Sequence, residues 1–101
     1  SSDVCSSDLA CGNDVLAFGA LAEARAQGIA VPQALSIVGF DDLELARHQD
    51  PPLTTMHVDT RQMWQRGVST LLDLLQGTQA PQQQIIETNL IVRGSTAFAP
   101  D

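Results

Sequence analysis

Two adjacent aspartates, Asp41 and Asp42, end an abruptly apolar run, LSIVGF at residues 35–40. In open α/β sheets, ligands bind beyond the carboxyl ends of the strands, so an acidic residue placed there is well positioned to meet one. An ionised carboxylate only accepts hydrogen bonds, and its two oxygens suit neighbouring sugar hydroxyls. Two other uses fit the same pair. One is a solvated cap for the turn that follows. The other is a magnesium site, which normally wants further carboxylates and a phosphate-binding lysine, and the sequence contains no lysine.

Asn13 carries a similar ambiguity. It is a good N-cap for a helix beginning at Asp14, and a helix N-terminus that follows a strand also faces the ligand side of a sheet. His48 and His57 lie nine residues apart in different elements, with no serine, cysteine or carboxylate at motif spacing, and surface or strand positions are expected for both. Cys5 and Cys11 form no C-x-x-C pattern and have no histidine cluster beside them, which favours reduced thiols over a disulfide or a metal pair. No glycine-rich phosphate loop is present, and no cofactor is expected.

The elements that position these residues follow from periodicity. After Asn13, Val15, Phe18, Leu21 and Ala22 fall at helical spacing, Ala17, Ala20, Ala24 and Ala26 keep the helix slim, and Gly28 marks the stop. Leu35 to Phe40 suits a strand covered on both faces. Leu43 to His48 has room for one or two helical turns, and Gln49 to Pro52 must be extended or turning because each proline disfavours helix before it. LTTMHV at 53–58 favours strand through its β-branched residues. Asp59 and Gln62 resemble a capping box. Met63, Trp64, Gly67, Val68, Leu71, Leu72, Leu74 and Leu75 then trace an apolar helical stripe ended by Gly77. Residues 78–84 read as a loop, Ile85 to Val92 as a final strand. Alternating helices and strands of buried type indicate an α/β architecture. Residues 1–9, SSDVCSSDL, show neither periodicity and read as an irregular, flexible or foreign lead-in.

Composition limits the partners. The chain has 101 residues, 44% of them hydrophobic, and a formal net charge of −7. Its five arginines (Arg25, Arg47, Arg61, Arg66 and Arg93) are dispersed. Nucleic-acid binders need a basic face, so this segment alone is not expected to hold DNA. No apolar run reaches the ~18 residues of a membrane span, and no secretory signal opens the chain, so a cytoplasmic location without membrane partners is expected.

Taken in order, CGNDVLAFGAL, the VP before LSIVGFDD, DPPLTT, a leucine-rich helix and NLIVRGST resemble the LacI/GalR family of bacterial transcription regulators over residues 10–98. The resemblance implies part of a two-lobed, type I periplasmic-binding-protein-like fold with mainly parallel strands and flanking helices. It places 10–58 and 88–98 in one lobe, 59–87 in the other, and leaves 99–101 as a tail. It implies a small-molecule effector, often a sugar, bound between lobes, with Asn13, Asp41, Thr60 and Met63 at effector-contacting positions. It also implies a homodimer through the second lobe, at Phe18, Leu45, Arg47, His48 and Gln49. Operator DNA would be held by a helix-turn-helix domain outside this sequence, and no bond would be made or broken. A transport binding protein of the same fold and a metal-dependent α/β enzyme at Asp41-Asp42 are the alternatives.

Overall fold

Backbone hydrogen-bonding needs and a few small side chains account for the architecture. The structure is a computed structural model, and residues 7–98 are described. It divides into two units. One runs to His57 and resumes at Asn89, and the other is Val58–Thr88.

The first unit is built on a strand, a helix and a parallel strand. β1 (Asp8–Ala10) pairs in parallel with β2 (Ser36–Val38), in the register Asp8↔Ser36, Leu9↔Ile37 and Ala10↔Val38. Between them lies α1 (Asp14–Ala26). Asn13 caps α1, its Oδ1 accepting from the Leu16 N–H at 2.9 Å. The helix ends through Gln27 and Gly28, whose φ of 72° falls where a side chain is costly. Its buried face is Asp14, Ala17, Leu21 and Ala24, spaced 3, 4 and 3 residues apart. Ala17 and Leu21 join Ile37, Ala46 and Leu53 in one core, with Phe18, Val31 and Leu35 packed against it.

Beyond β2 the sheet direction continues as isolated parallel bridges, Val38↔Thr54 and Asp41↔His57. A 3₁₀ helix, Glu44–His48, turns Ala46 into the core, and the Ala46 carbonyl accepts from the Leu53 N–H at 2.9 Å. β3 (Thr55–Val58) and β4 (Thr88–Ile91) form a second two-stranded sheet. The second unit holds α2 (Thr60–Leu75), capped by Asp59 Oδ1 on the Gln62 N–H at 3.0 Å and followed by Gly77 at φ 78°.

Four expectations are corrected. Asp8 and Leu9 belong to β1 and not to an irregular lead-in, because parallel pairing with β2 satisfies their backbone whatever their local propensity. Residues 1–6, including Cys5, lie outside the described residues, as do 99–101 of the tail. The inward face of α1 is rotated from the Val15, Phe18, Leu21, Ala22 set: Val15 is 63% exposed while Asp14 and Ala17 are wholly buried. The strand expected over 35–40 is limited to Ser36–Val38. The final strand covers Thr88–Ile91, half the expected run. Ile85 stands 78% exposed, with its carbonyl 3.4 Å from Arg66 Nη1.

Candidate functional site

The turn after β2 has an unusual backbone. Asp41 has a φ of 119° and Asp42 one of 54°. Each such residue costs on the order of 1–3 kcal/mol and persists only where its surroundings over-determine it. Those surroundings are specific. The Asp14 N–H donates to the Phe40 carbonyl at 2.9 Å, and the Asp41 N–H to the Met56 carbonyl at 3.0 Å. The Asp42 N–H faces Thr55 Oγ1 at 3.3 Å, and the Leu43 N–H donates to Asp14 Oδ2 at 2.7 Å.

The two aspartates of the pair therefore differ in kind. Asp41 is exposed. Asp42 is engaged: its Oδ1 accepts from Arg93 Nη2 at 2.7 Å, and its Oδ2 lies 3.0 Å from His57 Nδ1. Partial burial disfavours ionisation of Asp42, but hydrogen bonds and positive charge from Arg93 and His57 outweigh it and hold the carboxyl below the ordinary carboxylate value. Arg93 is itself anchored, with Nη1 on the Leu53 carbonyl at 2.9 Å and its N–H on Thr54 Oγ1 at 2.8 Å.

Beneath the turn lies Asp14, wholly buried, with Oδ1 accepting from Thr55 Oγ1 at 2.6 Å. A Cβ on Gly39 would run into Asp14 Oδ1 and come within 3.0 Å of Leu53 Cδ2, which explains a glycine at the mouth of this turn. Ser95, also buried, braces the neighbouring strands. Its hydroxyl donates to the Ile37 carbonyl at 2.6 Å and accepts from the Thr54 N–H at 2.8 Å.

Asn13 and Asp41 are the chain neighbours of Asp14 and Phe40, whose backbones are joined by a hydrogen bond. Asn13 Oδ1 is used by the helix cap. Thr60 and Met63 lie in the second unit, on the first turn of α2. Thr60 is exposed, and Met63, 37% exposed, lines a cavity of about 250 Å³ with Arg66, Gly67, Thr70 and Pro81 among others. Of the residues expected at a dimer surface, Phe18 is half-buried against the core, whereas Leu45, Arg47 and His48 are exposed. Arg47 and His48 lie 3.6 and 3.5 Å from Glu44 Oε1, and Gln49 Nε2 donates to the Leu45 carbonyl at 3.2 Å.

Sequence reasoning missed three members of the site. Asp14 reads as a helix-dipole residue, yet it is the buried knot under the turn. His57 has no partner at motif spacing, yet it meets Asp42, 15 residues away. Arg93 is 51 residues from Asp42 in sequence, and nothing local signals the pairing. Among the described residues, no group of three His, Cys, Asp or Glu side chains is placed to hold a metal ion.

Comparison with known proteins places this geometry in a family. Residues 9–96 match the model of the periplasmic binding protein-like domain. The chain is 46% identical over 91 residues to the HTH-type transcriptional regulator MalR of Streptomyces coelicolor. It is 41% identical over 91 residues to the HTH-type transcriptional repressor CytR of Escherichia coli strain K12. These alignments cover 89% of the chain but only 26% and 27% of those proteins, so the chain spans about a quarter of their length. Among solved structures, the lac repressor dimer bound to operator and an anti-inducer is similar at a TM-score of 0.82 and 34% identity, over 89% of this chain and 32% of that one. The transcriptional regulator CelR in complex with cellobiose is similar at a TM-score of 0.80 and 34% identity, over 87% of this chain and 27% of that one. These relatives are transcription regulators and not enzymes. The chain belongs to the periplasmic binding protein-like domain family, and it is similar to part of several LacI-type transcription regulators.

Proposed function

We propose that this chain is the C-terminal part of the small-molecule sensing and dimerisation core of a cytoplasmic bacterial transcription regulator, with a sugar or similarly hydroxyl-rich effector. The observation that carries this is the exposed Asp41 carboxylate at the end of β2, with Asp41 and Asn13 the chain neighbours of the hydrogen-bonded Phe40 and Asp14. A carboxylate accepts from vicinal hydroxyls, and the Asn13 Nδ2 hydrogens donate to a hydroxyl or ring oxygen. That pairing suits a neutral polyol better than an anion. The similarity to a regulator complexed with cellobiose supports the same ligand class. Thr60 and Met63 enter through the family resemblance alone, as do Phe18, Leu45, Arg47, His48 and Gln49 as a dimer surface.

The mechanism is linkage. An effector that binds one arrangement of the core better than another shifts the population toward it, and operator affinity follows by the same coupling free energy. Operator contact belongs to a helix-turn-helix domain elsewhere in the parent, since a chain of net charge −7 offers no basic face of its own.

The test uses the complete regulator that carries this segment. A panel of neutral mono- and disaccharides, cellobiose included, is screened by thermal shift and the binders titrated calorimetrically. Asp41→Asn, which tolerates the positive φ, should weaken binding by roughly 1.5–3 kcal/mol through loss of charge-assisted hydrogen bonds. Unchanged affinity in that variant would remove Asp41 from the site.

A further inference from the structure

The hydrogen bonds that hold the turn after β2 are unequally shared. Asp41 contributes its N–H to the Met56 carbonyl, and its side chain is exposed. Asp42 is held at its backbone by Thr55 Oγ1 and at its carboxylate by Arg93 and His57. Arg93 is fixed in turn by the Leu53 carbonyl and by Thr54 Oγ1. The side chains of Asp42 and Arg93 are only 13% and 15% exposed, so their ion pair is little screened by salt. Of the two consecutive aspartates at positive φ, the second therefore supplies the side-chain share of the restraint on the turn.

We infer that Asp42 and Arg93 are a positioning pair for Asp41: their ion pair fixes the turn in the conformation that presents the Asp41 carboxylate to ligand. This inference rests on the proposed effector role of Asp41. The two aspartates divide the work, one offering its oxygens outward and the other spending both of its own on the frame. Arg93 lies just beyond β4, so the pair ties the turn after β2 to the segment that follows the last strand. A ligand that pulls on Asp41 therefore works against a restraint rooted in that segment.

The planar fork of Arg93 serves the Leu53 carbonyl and the Asp42 carboxylate at once. A lysine keeps the charge but, as a point donor, does not reproduce the fork. Two variants of the complete regulator test the pair: Asp42→Asn, which keeps size and removes charge, and Arg93→Lys, which also carries the test should Asp42→Asn fold poorly. Crystal structures of the variants report φ at residue 41, and titration with cellobiose and the other sugars of the panel reports affinity. The expected result is a relaxed turn, with residue 41 leaving the positive-φ region, and affinity lower by roughly tenfold or more. A purely structural role would lower the melting temperature and leave affinity at low temperature intact. Retention of the positive φ at residue 41 in both variants overturns the inference, whatever the affinities. Asp41→Asn separates the two levels. If it binds sugar normally while the turn relaxes in the other variants, the effector role of Asp41 fails and only the hold of the pair on the turn stands.

Discussion

Thr55 Oγ1 lies 2.6 Å from Oδ1 of Asp14, a carboxylate with no exposed surface. This bond joins the start of α1 to the start of β3. Thr55 Oγ1 also faces the Asp42 N–H, so one hydroxyl serves both the buried knot and the turn above it. Thr55→Val keeps the shape and removes the hydroxyl, leaving a buried carboxylate oxygen short of a donor. The expected loss of stability is about 1–3 kcal/mol, read from denaturant or thermal unfolding. A loss of only a few tenths of a kcal/mol would mean that Asp14 finds another donor.

Gly39 is constrained by contact and not by φ. An added methyl meets Asp14 Oδ1 and Leu53 Cδ2, neither of which has room to withdraw from the core. Gly39→Ala should therefore destabilise by roughly 1–3 kcal/mol, the range of an overpacked core. Gly19 and Gly67 have nothing within 4 Å of a built Cβ, so alanine at either should be neutral or stabilising and serves as the control. Equal melting temperatures for the Gly39 and Gly19 variants would refute the close approach.

How far the sequence reveals this arrangement depends on the range of the interactions. Asn13, Asp59, Gly28 and Gly77 are legible because caps and stops are local: the residues involved lie within a few positions of one another. The apolar face of α2 is legible for the same reason. The division of labour between Asp41 and Asp42 is not, since it is set by Arg93 and His57, 51 and 15 residues away. β1 is obscured because Asp8 is a poor strand former that β2 nonetheless pairs. Asp14 is hidden by a plausible local role at the helix N-terminus, which its side chain performs while also bonding Leu43 and Thr55.

Acid should loosen the turn after β2 only at a pH below that at which ordinary exposed carboxylates are protonated. Partial burial of Asp42 opposes its charge, and the hydrogen bonds and charges of Arg93 and His57 more than compensate, so its folded pKa lies below the ordinary 3.8. A depressed folded pKa stabilises the fold above the unfolded value and loses that contribution as pH falls through the folded one. Asp42→Asn should therefore be less stable than the parent at neutral pH, with the gap closing as the medium is acidified below 3.8. Thermal melts across pH measure this. A gap independent of pH would show that Asp42 acts through packing instead of charge.

The apolar stripe of α2 predicts how the chain behaves by itself. Trp64 is 67% exposed, Val68 54%, Leu72 50% and Leu75 74%, and no residue of the helix is buried. Arg61, Trp64, Gln65, Val68, Ser69 and Leu72 line an open, mainly apolar depression of about 570 Å³. Each large side chain of this kind gains ~1.5–3 kcal/mol when fully buried, and contiguous patches of such residues favour association. The 101-residue chain should accordingly self-associate as its concentration rises, with copies burying this stripe against one another. Trp64→Glu with Val68→Glu should shift it toward monomer without unfolding α2, because both positions are exposed and glutamate is a good helix former. Sedimentation velocity over a concentration series, with circular dichroism on the double variant, decides the matter. A parent chain that stays monomeric at every concentration would mean that the stripe is not adhesive, while unchanged association in the variant would locate the contact elsewhere.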